Sequence, residues 1–74
     1  MILTPEELGR IVKNERKAMA LTQADLALTS GTGMRFISDL ENGKSTCQIG
    51  KTLTVLKTLG LRLTLSSPHR PAAG

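Results

Sequence analysis

The stretch LTQADLALTSGTGMRFISDLENGK, residues 21–44, decides the fold. Thr22 and Asp25 have capping-box spacing, in which each side chain satisfies a backbone N–H near the other, and Leu21 with Leu26 is placed to staple the entry to a helix. A short helix therefore starts at Thr22. Gly31 supplies the left-handed backbone that ends such a helix, and Thr32 with Gly33 opens the next. In that second helix Ile37 and Leu40 point inward, Met34, Arg35 and Ser38 lie on its other side, and Asn42-Gly43 is a stop signal.

Outward from this pair, the sequence predicts two further helices. In TPEELGRIVKNERKAM, residues 4–19, Thr4 caps a helix that begins at about Pro5, with Glu7 at the capping-box position and Leu8, Ile11 and Val12 forming an apolar stripe beside a charged face. After a polar loop through Lys44, Ser45 and Thr46, the apolar residues Ile49, Leu53, Leu56 and Leu59 mark a fourth helix, weakened in its first turn by Gly50 and closed by Gly60. Then comes LGLRLTLSS, residues 59–67, where Leu61, Leu63 and Leu65 alternate with polar residues in the period-2 pattern of a half-buried strand. Nothing earlier in the chain reads as a strand to pair with it. The last residues, PHRPAAG at 68–74, have no apolar period and are expected to form a flexible tail.

Composition narrows the function. Seventy-four residues make one domain close to the lower size for an unaided core. Ten Lys and Arg against six Asp and Glu give a net charge of +4, a bias toward anionic partners. One aromatic residue, Phe36, supports no stacking platform for single-stranded nucleic acid, whereas double-stranded DNA stays open. Cys47 has no partner for a disulfide within the chain, and no apolar run suits a membrane span or a signal peptide, so a cytoplasmic setting without membrane association is expected.

Two short helices joined through a glycine-containing turn, the second with polar residues on its exposed half, describe a helix-turn-helix. Its second helix is expected to enter the major groove, with Thr32, Gly33, Met34, Arg35 and Ser38 as the base-reading set. Arg35 suits guanine O6 and N7, Ser38 donates or accepts, and Met34 packs on a thymine methyl. The first helix crosses the DNA backbone, so Thr22 and Gln23 at its N-terminus meet a phosphate, and Asn42 and Lys44 hold another on the far flank.

Residues 5–60, carrying LTQADLA, SGTG and ISDLENGK, resemble the Cro/C1-type (XRE) helix-turn-helix family, with Gln23, Ala27, Gly31, Ile37, Leu40, Glu41 and Gly43 at family-like spacings. The run from the fourth helix into LGLRLTLSS resembles, more narrowly, HipB-type antitoxins. The resemblance implies a mainly α, lambda-repressor-like domain of four or five helices over residues 1–60. It also implies that residues 61–67 are a dimerisation strand that pairs, through Leu61, Leu63 and Leu65, with the same strand of a second copy. A HipA-like serine/threonine kinase toxin and operator DNA are the implied partners, in an antitoxin that represses its own operon. Arg16 and Glu41 match positions that form an ion pair between the first and third helices in related repressors. Asp39 departs from the pattern: family members often place a polar or basic DNA-facing residue there, and a carboxylate repels phosphate unless it accepts from cytosine N4.

The remaining chemistry reads as structural. Phe36 belongs at the core margin, Cys47 is a small residue near the fourth helix, and His69 stands alone in the tail, so no metal or cofactor is expected. No nucleophile, base and orienting group can be assembled, and an enzyme is not expected. Two other readings are a free-standing XRE regulator without a toxin and a protein-interaction module that never touches DNA.

Overall fold

Thr4 caps the first helix as its position suggests: its Oγ1 accepts from the Glu7 N–H at 3.1 Å, with Pro5 in the first turn, and α1 runs Pro5–Ala18. The computed structural model describes residues 4–65 and 67, so the 68–74 tail lies outside the described residues. At Thr22 the full capping box forms. The Thr22 Oγ1 accepts from the Asp25 N–H and the Asp25 Oδ2 accepts from the Thr22 N–H, each at 3.0 Å, to start α2 (Gln23–Ser30). Gly31 closes α2 in left-handed backbone, φ +71°, a conformation cheap only for glycine.

The third helix, α3 (Met34–Glu41), begins after Gly33 rather than at Thr32, with Gly33 as its N-cap in extended backbone and without a side-chain hydrogen bond to the first turn. The fourth, α4 (Ile49–Thr58), is likewise started without a side-chain cap. These four helices, mainly α as expected, are all that the described residues form.

Val12, Leu26, Ala27, Ile37, Leu40, Val55, Leu56 and Leu59 make one core, with α3 packed on α1 and α2 and with α2 on α4. Each fully buried Val, Leu or Ile contributes about 1.5–3 kcal/mol, which is where this small domain finds its stability. Around α4 the core face differs from the leucine pattern. Thr52, Val55, Leu56 and Leu59 point inward, while Ile49 and Leu53 are 68 % and 46 % exposed. The buried Thr52 is tolerated because its hydroxyl donates to the Gln48 carbonyl at 2.9 Å. Ile11 also sits at the rim rather than in the stripe, so α1 buries Gly9, Val12 and Arg16.

Gly9 has a spatial reason. A Cβ there would fall on the Leu40 carbonyl oxygen and 2.7 Å from that of Glu41, so α1 and α3 meet backbone to backbone. Beyond α4, Leu61 lies partly buried against the core, while residues 61–65 join no ladder within the chain, and among the described residues there is no strand.

The α1 end has a feature without a glycine signal. The Ala20 and Leu21 N–H groups bond back to Lys17 and Arg16 carbonyls at 3.0 and 3.1 Å, a closure that places Ala20 at φ +58°. An alanine there is strained. Ala20→Gly is expected to raise stability by up to about 1 kcal/mol, read as a higher melting temperature. A lower one would show that the turn is not the strained element.

Candidate nucleic-acid interface

The site is built on a buried anchor. Arg16 on α1 donates from Nε to Glu41 Oε2 at 2.6 Å, from Nη2 to Glu41 Oε1 at 3.0 Å, and from Nη1 to the Leu21 carbonyl at 2.7 Å. Gln23, at the first turn of α2, donates its amide to Glu41 Oε1 at 3.1 Å. Four elements thus meet at one ion pair: α1, α2 and the end of α3 at the carboxylate, and the turn before α2 at the guanidinium. The expected Arg16–Glu41 pair is present, and it positions α3 rather than touching a ligand.

Burial pushes the Glu41 carboxyl up, but the hydrogen bonds from Arg16 and Gln23 and the charges of Arg16 and Lys13 outweigh it and leave the group below its ordinary value. The Glu41 hydrogen bond raises Arg16 against the opposing effect of its own burial, with the Glu41 charge adding to the rise. Asp25 is also lowered, first by the Thr22 backbone N–H and then by the Thr22 side chain.

On this frame α3 turns one stripe to solvent. Ile37, Leu40 and Glu41 face the core, which puts Arg35, Ser38, Asp39 and Asn42 on the opposite side at helical spacing. Met34 is 56 % exposed at the first turn. Arg35 is exposed and has no hydrogen-bond or ion-pair partner among the described residues. Gly33 is exposed beside it. Thr32 is partly buried, with its hydroxyl 2.9 Å from that of Ser30, which ties it to the end of α2.

Of the residues expected on phosphate, Thr22 and Asn42 are exposed. Gln23 is only partly exposed and gives one amide N–H to Glu41, leaving its second N–H and its carbonyl oxygen for other work. Lys44 Nζ stands 3.5 Å from Asp39 Oδ2. Two placements escaped the sequence reading. Lys51 of α4 lies over the Phe36 ring at 5.8 Å, a cation–π contact that keeps a positive charge beside α3, and no spacing rule links those two residues. The Asp39–Lys44 approach was implied by Gly43, since a left-handed residue after a helix folds the next one back onto its last turn.

A family model described as Helix-turn-helix matches residues 12–65. The chain belongs to the helix-turn-helix family. It is a DNA-binding transcriptional regulator in class, a class generally without enzymatic activity. The uncharacterized HTH-type transcriptional regulator y4mF of Sinorhizobium fredii (strain NBRC 101917 / NGR234) is 49 % identical over 67 residues, which cover 90 % of this chain and 88 % of that protein. Among solved structures, a HipB variant in complex with an O2 20mer is 29 % identical, with a TM-score of 0.81 over 93 % of this chain and 96 % of its own. A chain of the HipA-HipB-O2-O3 complex is 28 % identical, with a TM-score of 0.81 over 93 % and 97 %. The expected likeness to XRE-type and HipB-type proteins therefore holds. No helix among the described residues is long and apolar enough to cross a membrane.

Glu41→Ala leaves the Arg16 guanidinium buried without its carboxylate, and it should lower stability by about 3–5 kcal/mol in denaturant unfolding. An unchanged midpoint would remove the pair from its structural role. The pH dependence has a definite sign. A carboxyl lowered by folding adds stability above its ordinary value of 4.5 and loses it as pH falls through the folded-state value. The melting temperature should thus drop below about pH 4.5, with a shallower acid limb in Glu41→Gln. Equal limbs in both proteins would rule the pair out as its source.

Proposed function

We propose that the chain is a HipB-like antitoxin that dimerises, represses its own operon by binding operator DNA, and binds a HipA-like serine/threonine kinase toxin. One observation carries the DNA half: Arg35, without a partner among the described residues, stands at the N-terminal end of the exposed α3 stripe, on a helix clamped from behind by Glu41. A rigid helix presenting a free guanidinium suits bidentate recognition of guanine in the major groove. Thr32, Gly33, Met34 and Ser38 complete the base-reading set in this reading. Thr22, Gln23, Asn42 and Lys44 hold the phosphates on either side.

The dimer half rests on the C-terminal segment. Leu63 and Leu65 are 46 % and 86 % exposed, Leu63 lines a groove with the outward Leu53 of α4, and a second copy would cover them by strand pairing through Leu61, Leu63 and Leu65. A two-fold pair then presents two α3 helices to half-sites about one helical turn apart. Likeness to HipB over nearly the whole chain supports the antitoxin role, and a cytoplasmic location goes with it. The description of the 49 % relative simply as a transcriptional regulator favours a second reading, a free-standing regulator with no toxin. A kinase-like reading frame beside the gene would decide for the antitoxin.

Affinity for the region upstream of its own gene should fall steeply with salt, and Arg35→Ala should cost about 1–3 kcal/mol and relax selectivity at one base pair. Equal affinity for that region and for random duplex would end the repressor reading. Light scattering should give about twice the 7.9 kDa chain mass. A monomer at high micromolar concentration would reject the strand pairing while leaving DNA binding to be judged by the first measurement.

A further inference from the structure

A carboxylate sits in the middle of the face that α3 offers to a polyanion. Asp39 is one turn beyond Arg35, at the spacing where the two side chains could pair, yet they do not. Asp39 is held instead from the other end of the helix. Gly43, at φ +80°, closes α3 so that its N–H bonds the Leu40 carbonyl at 3.1 Å and the Lys44 N–H bonds the Asp39 carbonyl at 3.0 Å. The same closure brings Lys44 Nζ to 3.5 Å from Asp39 Oδ2. Gly43 has no freedom to change, since a Cβ there would also meet the Glu6 Cα at 2.9 Å. Backbone and side chain therefore fix Lys44 against Asp39 and leave Arg35 free.

An ion pair this exposed adds little to the stability of the fold. Its effect is local. Lys44 cancels the charge that would otherwise oppose docking on DNA, and it holds the carboxylate on the reading stripe. We infer that Asp39 is a specificity-determining residue, accepting a hydrogen bond from an exocyclic amino group of a base, with Lys44 as its positioning residue between Asp39 and the phosphate backbone. The inference rests on the DNA-binding reading above and names what its second contact selects. An ionised carboxylate only accepts. In the major groove guanine offers N7 and O6 acceptors and thymine an O4 acceptor, so each repels it, and adenine sets an N7 acceptor beside its amino group. Cytosine presents N4 as a donor and has no acceptor on its own major-groove edge, where N4 is flanked by the C5 hydrogen. Four residues advance α3 by about 6 Å, so Arg35 and Asp39 reach base pairs within about two steps of each other. Each half-site then contains a guanine for Arg35 and, close by, a cytosine for Asp39.

Selection of the full-length protein on a pool of random-sequence duplexes tests this. The unaltered protein should enrich a motif with a C·G pair beside the guanine contacted by Arg35. Asp39→Asn should move that single position to A·T, where an amide matches adenine N6 and N7, by about ten-fold and with the other positions kept. On the original motif Lys44→Ala should weaken binding, and Asp39→Ala added to it should restore part of the loss. Asp39→Asn enriching the unaltered motif, or losses for Asp39→Ala and Lys44→Ala that simply multiply, would overturn the proposal and leave the regulator standing. If the unaltered protein enriches no motif, the DNA-binding reading itself fails and takes this contact with it. Melting temperatures of the variants, expected to match the unaltered protein, separate all of these outcomes from unfolding.

Discussion

One buried carboxylate holds α3 in place. Glu41 accepts both prongs of the Arg16 fork and the Gln23 amide, while the third arm of Arg16 takes the Leu21 carbonyl. The planar guanidinium imposes direction as well as charge, which a lysine in its place would not. Burying two ions is costly, and a well-packed apolar pair of similar volume often stabilises as much or more. Orientation is what the apolar alternative lacks. With Gly9 letting α1 touch the α3 backbone just beneath this cluster, α3 has little freedom to roll about its axis, and the stripe bearing Arg35 keeps its direction.

The parts of the fold written in local backbone chemistry were legible in the sequence. Thr4 with Pro5, Thr22 with Asp25, and the glycines at 31 and 43 each state a boundary through one hydrogen bond or one dihedral, and the helices start or stop beside them. The α4 face was misread for a physical reason. Leucine at 53 and isoleucine at 49 look like core, yet Thr52 and Val55 take those places, because a threonine that bonds its own helix backbone can be buried without an orphaned hydroxyl. Ala20 was invisible because alanine carries no signal for left-handed backbone.

The exposed face of α3 was readable to a similar depth. The exposure of Met34, Arg35 and Asn42 follows from the inward positions of Ile37 and Leu40, so helical period alone supplied it. Period could not supply the pairing of side chains across elements. Gln23 bonded to Glu41 and Lys51 over Phe36 depend on how α2 and α4 dock, which is tertiary information. The alternating leucines after Gly60 lie at the limit of what periodicity can read, since residues 61–65 form no strand and Leu63 and Leu65 stay exposed while Leu61 is partly buried against the core. The apolar residues of α4 divide likewise: one stripe is consumed by the core, and Leu53 on the other lines a groove with Leu63.

The chain has neither tryptophan nor tyrosine, and its one phenylalanine, Phe36 of α3, packs partly buried against the core with the Lys51 ammonium of α4 over its ring. That phenyl group is a built-in spectroscopic beacon at the place where α3 and α4 meet. Ring-current shielding at the Lys51 side chain registers any tilt of α3 against α4, with no label attached.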